Sequence, residues 1–409
     1  MKIRLALIFF PLVIASGLLG VLAVVDDGTS AHAKGASSAL GEAGNSPIPP
    51  SHNVNSSETQ TLAHELLHLE LENLSRCGSA NRDLRKTSIE VLERFLASTA
   101  GRISDLDVPD WNKATKAQAL SALSEIDRAL SEEGFVVCVK TKLLTQALSQ
   151  PIPLLHEDDV NLHNGKEVCT LQRKPDYRDA NIRRLWKQGL RPVDCDLGAI
   201  LYLSVGERVG LPLEFVETPY HNFVRWRFAN GDYLNWDNND AKEYSDADFR
   251  NAVPKTVSRK FNKVEEKRNR YLDGRSRKEI VTYYSGIIAS DLQKGECVVQ
   301  LYETVKQAEW LDATTNNNFA WAFATIADFE NSEFTRLSVD LATEAIRMQP
   351  TCNLWDTLSC AHAAAGEFEK AMEVERLHIS STSPRIPFFA NKRSCYDPQV
   401  AEVGGCRTP

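Results

Sequence analysis

Three chemically capable residue types meet between Arg191 and Asp240, in the stretch RPVDCDLGAILYLSVGERVGLPLEFVETPYHNFVRWRFANGDYLNWDNND. Cys195 opens a predicted helix, His221 opens a predicted strand, and Asn235, Asp237 and Asp240 follow on or after the next strand. A thiol, an imidazole that exchanges protons with it and a third group that orients the imidazole form a nucleophile–base–orienter set suited to attack on acyl carbons. Such trios also arise by chance. The plainer reading makes Cys195 a small buried residue, His221 a strand end and Asp237 part of a turn.

The elements that must position these groups follow from local signals. Pro192 and Asp194 are helix-start residues, and an Asp at the N-cap accepts an orphan backbone N–H. Leu197, Ile200, Leu201, Leu203 and Val205 supply apolar faces, and Gly210 before Leu211-Pro212 ends the helix. Cys195 therefore falls in the first turn, where the helix dipole favours thiolate over thiol. His221 to Phe228 and Tyr233 to Asp237 alternate as two strands around Ala229-Asn230-Gly231-Asp232. A two-residue Asn-Gly loop pairs positions that sum to 461 and puts Asp240 on the face of His221. A three-residue loop with Gly231 left-handed pairs positions that sum to 460 and puts Asn235 and Asp237 there instead. The bulged loop and Asp237 are the preferred expectation, with Asp240 and Asn235 as alternatives.

The same stretch resembles the transglutaminase-like (papain-like cysteine peptidase) superfamily, in the bacterial branch where a short core precedes TPR-like helices. The resemblance is carried by Asp176-Tyr177, Asn181, Leu185, Cys195-Asp196-Leu197, Ile200-Leu201-Tyr202-Leu203, Glu207 to Pro212 and Pro219 to Arg225, within Asp176 to Phe249. It implies a catalytic triad of Cys195, His221 and Asp237. Only 26 positions separate the first two, so the loop that builds specificity in larger relatives is short or absent. A short helix over Asn181 to Gly189 offers Gln188 or Trp186 as an oxyanion donor beside the Cys195 N–H. Such chemistry requires no cofactor, and none is expected.

A second motif lies upstream. His64-Glu65-Leu66-Leu67-His68 matches HExxH, in which two histidines on one helix face bind zinc and the glutamate activates water. No HxxGxxH extension follows, and in a helix rich in Leu, His and Glu the pattern arises by chance. It is held as a minor alternative.

The 409 residues carry a net charge of −8 with pI near 5.7, which argues against nucleic-acid binding because no basic surplus exists to neutralise phosphate. Lys2 and Arg4 precede the uncharged run Leu5 to Val25, and Ala31-His32-Ala33 is an A-x-A site. These are the parts of an export signal, with an uncleaved membrane anchor as the alternative. The body is thus expected to be periplasmic or secreted. Nine cysteines suit an oxidising compartment: eight can pair and one stay reactive. Cys352 with Cys360, and Cys395 with Cys406, are plausible staples.

In chain order the expectation is an α+β protein. Residues 1–33 form the signal or anchor and 34–57 a disordered linker. Residues 58–150 are a helical region with helices near Thr61–Arg76, Thr87–Ser98, Lys113–Ser131 and Phe135–Ser149. The transglutaminase-like core covers 151–254, a helix packed on an antiparallel sheet. Residues 255–316 are a basic connector, its cations read as a solvated face or, alternatively, a patch for an anionic glycan, lipid or partner. Trp321 and Trp355, Phe334 and Phe368, and Pro350 and Pro384 are each 34 apart, the period of TPR-like hairpins, over 317–384. Residues 385–409 form a stapled tail. A peptide or protein substrate and a protein partner in the repeat groove complete the reading. The runner-up is a non-catalytic scaffold that binds a cell-envelope protein.

Overall fold

The computed structural model describes residues 60–77, 82–137, 143–149, 151, 162–163, 166–167, 189–219, 221–257, 259–292, 294–308, 311–326, 333–350 and 352–378. The signal, linker and tail assignments lie outside these residues, as do Asp176 to Gln188 with Trp186.

Helices α1 (Leu62–Arg76), α2 (Arg82–Ser104) and α3 (Lys116–Glu132) build the first layer. Leu62, Ala63, Leu66, Leu67 and Leu71 recur at three- and four-residue steps along α1 and are all buried. Thr115 caps α3 in a reciprocal box with Gln118, satisfying two orphan donors.

The expected fourth helix is instead two elements. Phe135–Val137 is a strand, β1, and only Leu144–Ser149 is helical, as α4. After the left-handed Gly134 (φ 83°), Phe-Val-Val favours an extended chain and finds a parallel partner in β4 (Arg191–Val193). Two short strands, β2 (Leu162–His163) and β3 (Lys166–Glu167), pair antiparallel between them.

The central helix is α5 (Cys195–Val209), in which every residue from Asp196 to Gly206 is buried. Asp194 Oδ1 accepts the Leu197 N–H at 3.0 Å, and Gly210 ends the helix at φ 78°. The chain then makes β5 (Leu213–Thr218), β6 (His221–Arg227), β7 (Tyr233–Asp237) and β8 (Lys242–Tyr244), followed by α6 (Asp246–Arg250), α7 (Lys263–Asn269) and β9 (Gly274–Arg275). The sheet is antiparallel with order β8-β7-β6-β5-β9. Its last strand comes from the stretch read as a connector. Arginines of that stretch are ion-paired: Arg259 meets Glu265 at 2.9 Å and Arg275 meets Glu217 at 2.8 Å.

Strand alternation divides the sheet. Val224, Trp226, Leu234 and Trp236 face α5 and the main core. Val216 and Phe223 face a smaller core with Phe249, Val257, Phe261, Tyr271 and Leu272. Six helices follow: α8 (Arg277–Asp291), α9 (Gly295–Val305), α10 (Ala313–Thr325), α11 (Glu333–Met348), α12 (Cys352–Ala364) and α13 (Phe368–His378). Gly286 permits close contact, since a Cβ there would lie 3.0 Å from Thr315 Cα. The main core runs unbroken from Leu62 to Ala361. A disulfide between Cys77 and Cys297 joins the end of α1 to α9. Cys138, Cys169, Cys395 and Cys406 and the side chain of Cys352 lie outside the described residues. No helix among the described residues is long and apolar enough to cross a membrane.

Candidate active site

Asp194 starts the helix one residue before Cys195, so the thiol stands on the first turn of α5 and carries no disulfide. Its Sγ lies 3.3 Å from Asp196 Oδ1, to which the S–H donates. The backbone N–H of Asn222 also points at the sulfur. Burial pushes the thiol well above its ordinary pKa, Asp196 and Asp194 push it further, and the Asn222 N–H pulls the other way. The expectation that the helix terminus favours thiolate therefore fails at rest. Desolvation and two neighbouring carboxylates outweigh the helix dipole, worth about 0.3–1 kcal/mol at exposed sites.

Asp196 is held on all sides. Its Oδ2 accepts the Tyr283 hydroxyl at 2.6 Å, and its Oδ1 accepts the Asn222 side-chain amide. That amide also lies 3.2 Å from the Tyr283 oxygen. Burial and then Asp196 raise the Tyr283 hydroxyl well above its ordinary pKa.

On the far side of the sheet, His221 Nε2 meets Asp237 Oδ2 at 3.1 Å. The hairpin takes the register in which Val224 faces Trp236 and Arg225 faces Asn235, positions summing to 460, with Gly231 left-handed at φ 88°. Asp237 is saturated with donors. Oδ2 also accepts Thr256 Oγ1 at 2.7 Å, while Oδ1 accepts the Asn239 and Asp240 N–H groups at 2.9 and 3.2 Å. Burial alone would raise this carboxyl, but His221, Thr256 and Asn239 together hold it below the usual range. The imidazole stacks on Phe249 at 6.4 Å between ring centres.

The alternative orienters are engaged elsewhere. Asn235 accepts from Arg225 Nε and donates to Asp246, both at 2.7 Å. The Asp240 carboxylate accepts the Tyr244 hydroxyl at 3.0 Å. Gln188 and Trp186 lie outside the described residues.

Cys195 and His221 approach the end of the sheet from opposite faces. Cys195 belongs to the helix on the Val224 face, whereas His221 shares the face of Phe223. The sulfur reaches the backbone of the residue next to His221, and no sulfur–imidazole hydrogen bond occurs among the described residues. His221 Nδ1, the nitrogen turned away from Asp237, makes no hydrogen bond among the described residues either. Asn238 fixes the base of the helix through Nδ2, which donates to Cys195 O and Asn239 Oδ1, each at 3.1 Å.

The HExxH residues take structural partners. His64 Nδ1 meets the Thr61 hydroxyl at 2.9 Å, and Nε2 meets Glu93 at 2.5 Å. Glu65 pairs with Arg277 at 2.6 Å, and His68 is exposed. Among the described residues no cluster of three metal-binding side chains occurs.

Sequence reasoning missed Tyr283, Thr256 and the polar roles of Asp196, Asn222 and Asn238. Asn238 and Asn222 adjoin predicted site residues and were within reach of it. Nothing in the sequence ties Tyr283, on α8, to Asp196. Compared with protein-family models, curated proteins and solved structures, the chain matches none.

Proposed function

We propose that this chain is an exported cysteine-dependent hydrolase or acyl transferase of transglutaminase-like kind, acting on peptide or amide bonds through Cys195, His221 and Asp237. The observation that carries this reading is the buried His221–Asp237 bond at the same end of the sheet as an unbridged thiol on a helix tip. That bond engages Nε2, so Nδ1 is the nitrogen that would act as base.

For reaction the thiol leaves Asp196 and comes within reach of the imidazole, and its proton passes to His221 Nδ1 as Sγ bonds to the carbonyl carbon. The imidazolium then gives its proton to the leaving amine as the C–N bond breaks. Water or a second amine, deprotonated by His221, attacks the thioester, and the departing sulfur regains a proton. Asp237 holds the ring throughout. Hydrolysis is favoured over transfer because only 26 positions separate Cys195 from His221, leaving no loop between them to build a site for an amine acceptor. The disulfide supports export. The hairpins α10–α11 and α12–α13 carry the 34-residue spacing and support a TPR-like reading, with a groove for a protein partner. The test is Cys195→Ala against a peptide library. Loss of every amide-bond activity is expected, and an activity that survives ends the reading.

One observation favours the alternative of a non-catalytic scaffold binding a cell-envelope protein: the thiol rests on Asp196, its pKa raised. Iodoacetamide separates the two. A Cys195 that reacts no faster than a free thiol of pKa about 8.5, in the parent and in Asp196→Asn alike, supports the scaffold.

A further inference from the structure

Beside the sulfur lies a polar group that the triad chemistry does not use. Asp196, on α5, takes three donors from three different elements: the Cys195 S–H at 3.3 Å, the Asn222 amide of β6 and the Tyr283 hydroxyl of α8 at 2.6 Å. The carboxylate is 9% exposed. A carboxylate this short of water takes its hydrogen bonds from protein, and such charge-assisted bonds are stronger than neutral ones. Its orientation is therefore fixed from two sides by Asn222 and Tyr283. The third bond fixes the sulfur.

The direction of that bond matters. The S–H points along the helix-tip side of the sheet toward Asp196, while the imidazole sits on the other face, bound to Asp237. We propose that Asp196, oriented by Asn222 and shared with the Tyr283 hydroxyl, is a positioning residue that parks the Cys195 S–H away from His221, so that the thiol becomes nucleophilic only when this bond is released. This rests on the reading of Cys195 as the nucleophile.

The electrostatics point the same way. After burial, Asp196 and then Asp194 are the largest influences against ionisation of the thiol. The other groups facing the cluster are Tyr283, Glu217 on β5 with its partner Arg275 on β9, and His221 across the strand. Glu217 is repelled by Asp312 and then by Asp196, and Arg275 is the cation that offsets this at Glu217 and Asp312.

The test is alkylation of the full chain, disulfide intact, by iodoacetamide between pH 6 and 10, with the modified cysteine identified by mass spectrometry. In this reaction the S–C bond forms, iodide leaves and the thiol proton goes to solvent. Asp196→Asn keeps the shape and removes the charge. Its Cys195 profile is expected to move to lower pH, and the reaction near neutrality to run about tenfold faster for every whole pH step of that displacement. Tyr283→Phe removes the donor that shares Asp196 with the thiol, so that more of the carboxylate's charge falls on the S–H, and is expected to slow the reaction. Opposite signs are the signature, because simple loosening of the site speeds both. An unmoved or slower Asp196→Asn overturns the proposal, as does a Tyr283→Phe rate equal to or above that of the parent. Should Asp196→Asn fail to fold, the Tyr283→Phe rate decides alone. Absence of acyl transfer with both rate changes intact defeats the enzyme reading and leaves the parked thiol standing.

Discussion

His221 Nε2 and Asp237 Oδ2 lie 3.1 Å apart at the open end of the β6–β7 hairpin, away from its turn, with side chains only 1% and 0% exposed. Burial makes each dependent on the other. Removing one partner of such a pair leaves an uncompensated polar or charged group, which typically costs about 3–5 kcal/mol.

Asp237→Ala is accordingly expected to lower the unfolding free energy by about that amount, measured by urea denaturation at pH 7. The carboxyl is held below its ordinary range, so its stabilisation is present above the unfolded pKa near ~3.9 and is lost as pH falls through the lower folded value. The parent should lose stability below about pH 4. Asp237→Asn should lack that part of the acid limb.

Glu70 carries the opposite sign. It is buried, and burial pushes its carboxyl up to about 7 despite donors from Thr145 and Tyr284. The folded state then holds a proton that the unfolded state has shed, so stability falls as pH rises from near ~4.3 to about 7 and is level above. Glu70→Gln should therefore gain on the parent at pH 8 relative to pH 5 in the same denaturation series. An equal difference at both pH values would contradict this.

Gly198 marks a close approach. A Cβ there would lie 2.6 Å from Asn238 Nδ2, the donor that holds Cys195 O. Overpacking typically costs about 1–3 kcal/mol, against a helix-propensity gain of about 1 kcal/mol for Gly→Ala. Gly198→Ala should thus be destabilising on balance. In a double-mutant cycle with Asn238→Ala the two changes should be less than additive, since the second removes the clash. Full additivity would mean that the amide simply moves aside.

The Cys77–Cys297 bridge spans 220 positions. Loop-closure entropy alone puts a cross-link of such length at about 5.4 kcal/mol. Reduced protein, or the Cys77→Ala/Cys297→Ala pair, should unfold at markedly lower urea. Stability unchanged by reduction would show that α1 and α9 are held by packing alone.

Much of this was legible where the signal is local. Asp194 and Gly210 bracket α5 because capping needs only the adjacent backbone. Gly231 sets the hairpin register because a left-handed residue fixes the turn and therefore the pairing. What was not legible depends on partners far away in sequence. Phe135–Val137 reads as the start of a helix until Arg191–Val193 offers it a ladder. The strand at Gly274–Arg275 is too short to announce itself before β5 presents an edge. The thiol's raised pKa arises from burial and from the Asp196 and Asp194 charges, which a helix wheel does not weigh against the dipole.

The central claim is that the Cys195 sulfur accepts an acyl group with His221 as its base. Incubation with 4-nitrophenyl acetate, an acid quench and peptide mapping by mass spectrometry test it most directly. An acetyl thioester on Cys195 is expected, forming at least about 100-fold more slowly in His221→Ala. Acetylation confined to other residues, or a His221→Ala rate equal to that of the parent, would contradict it.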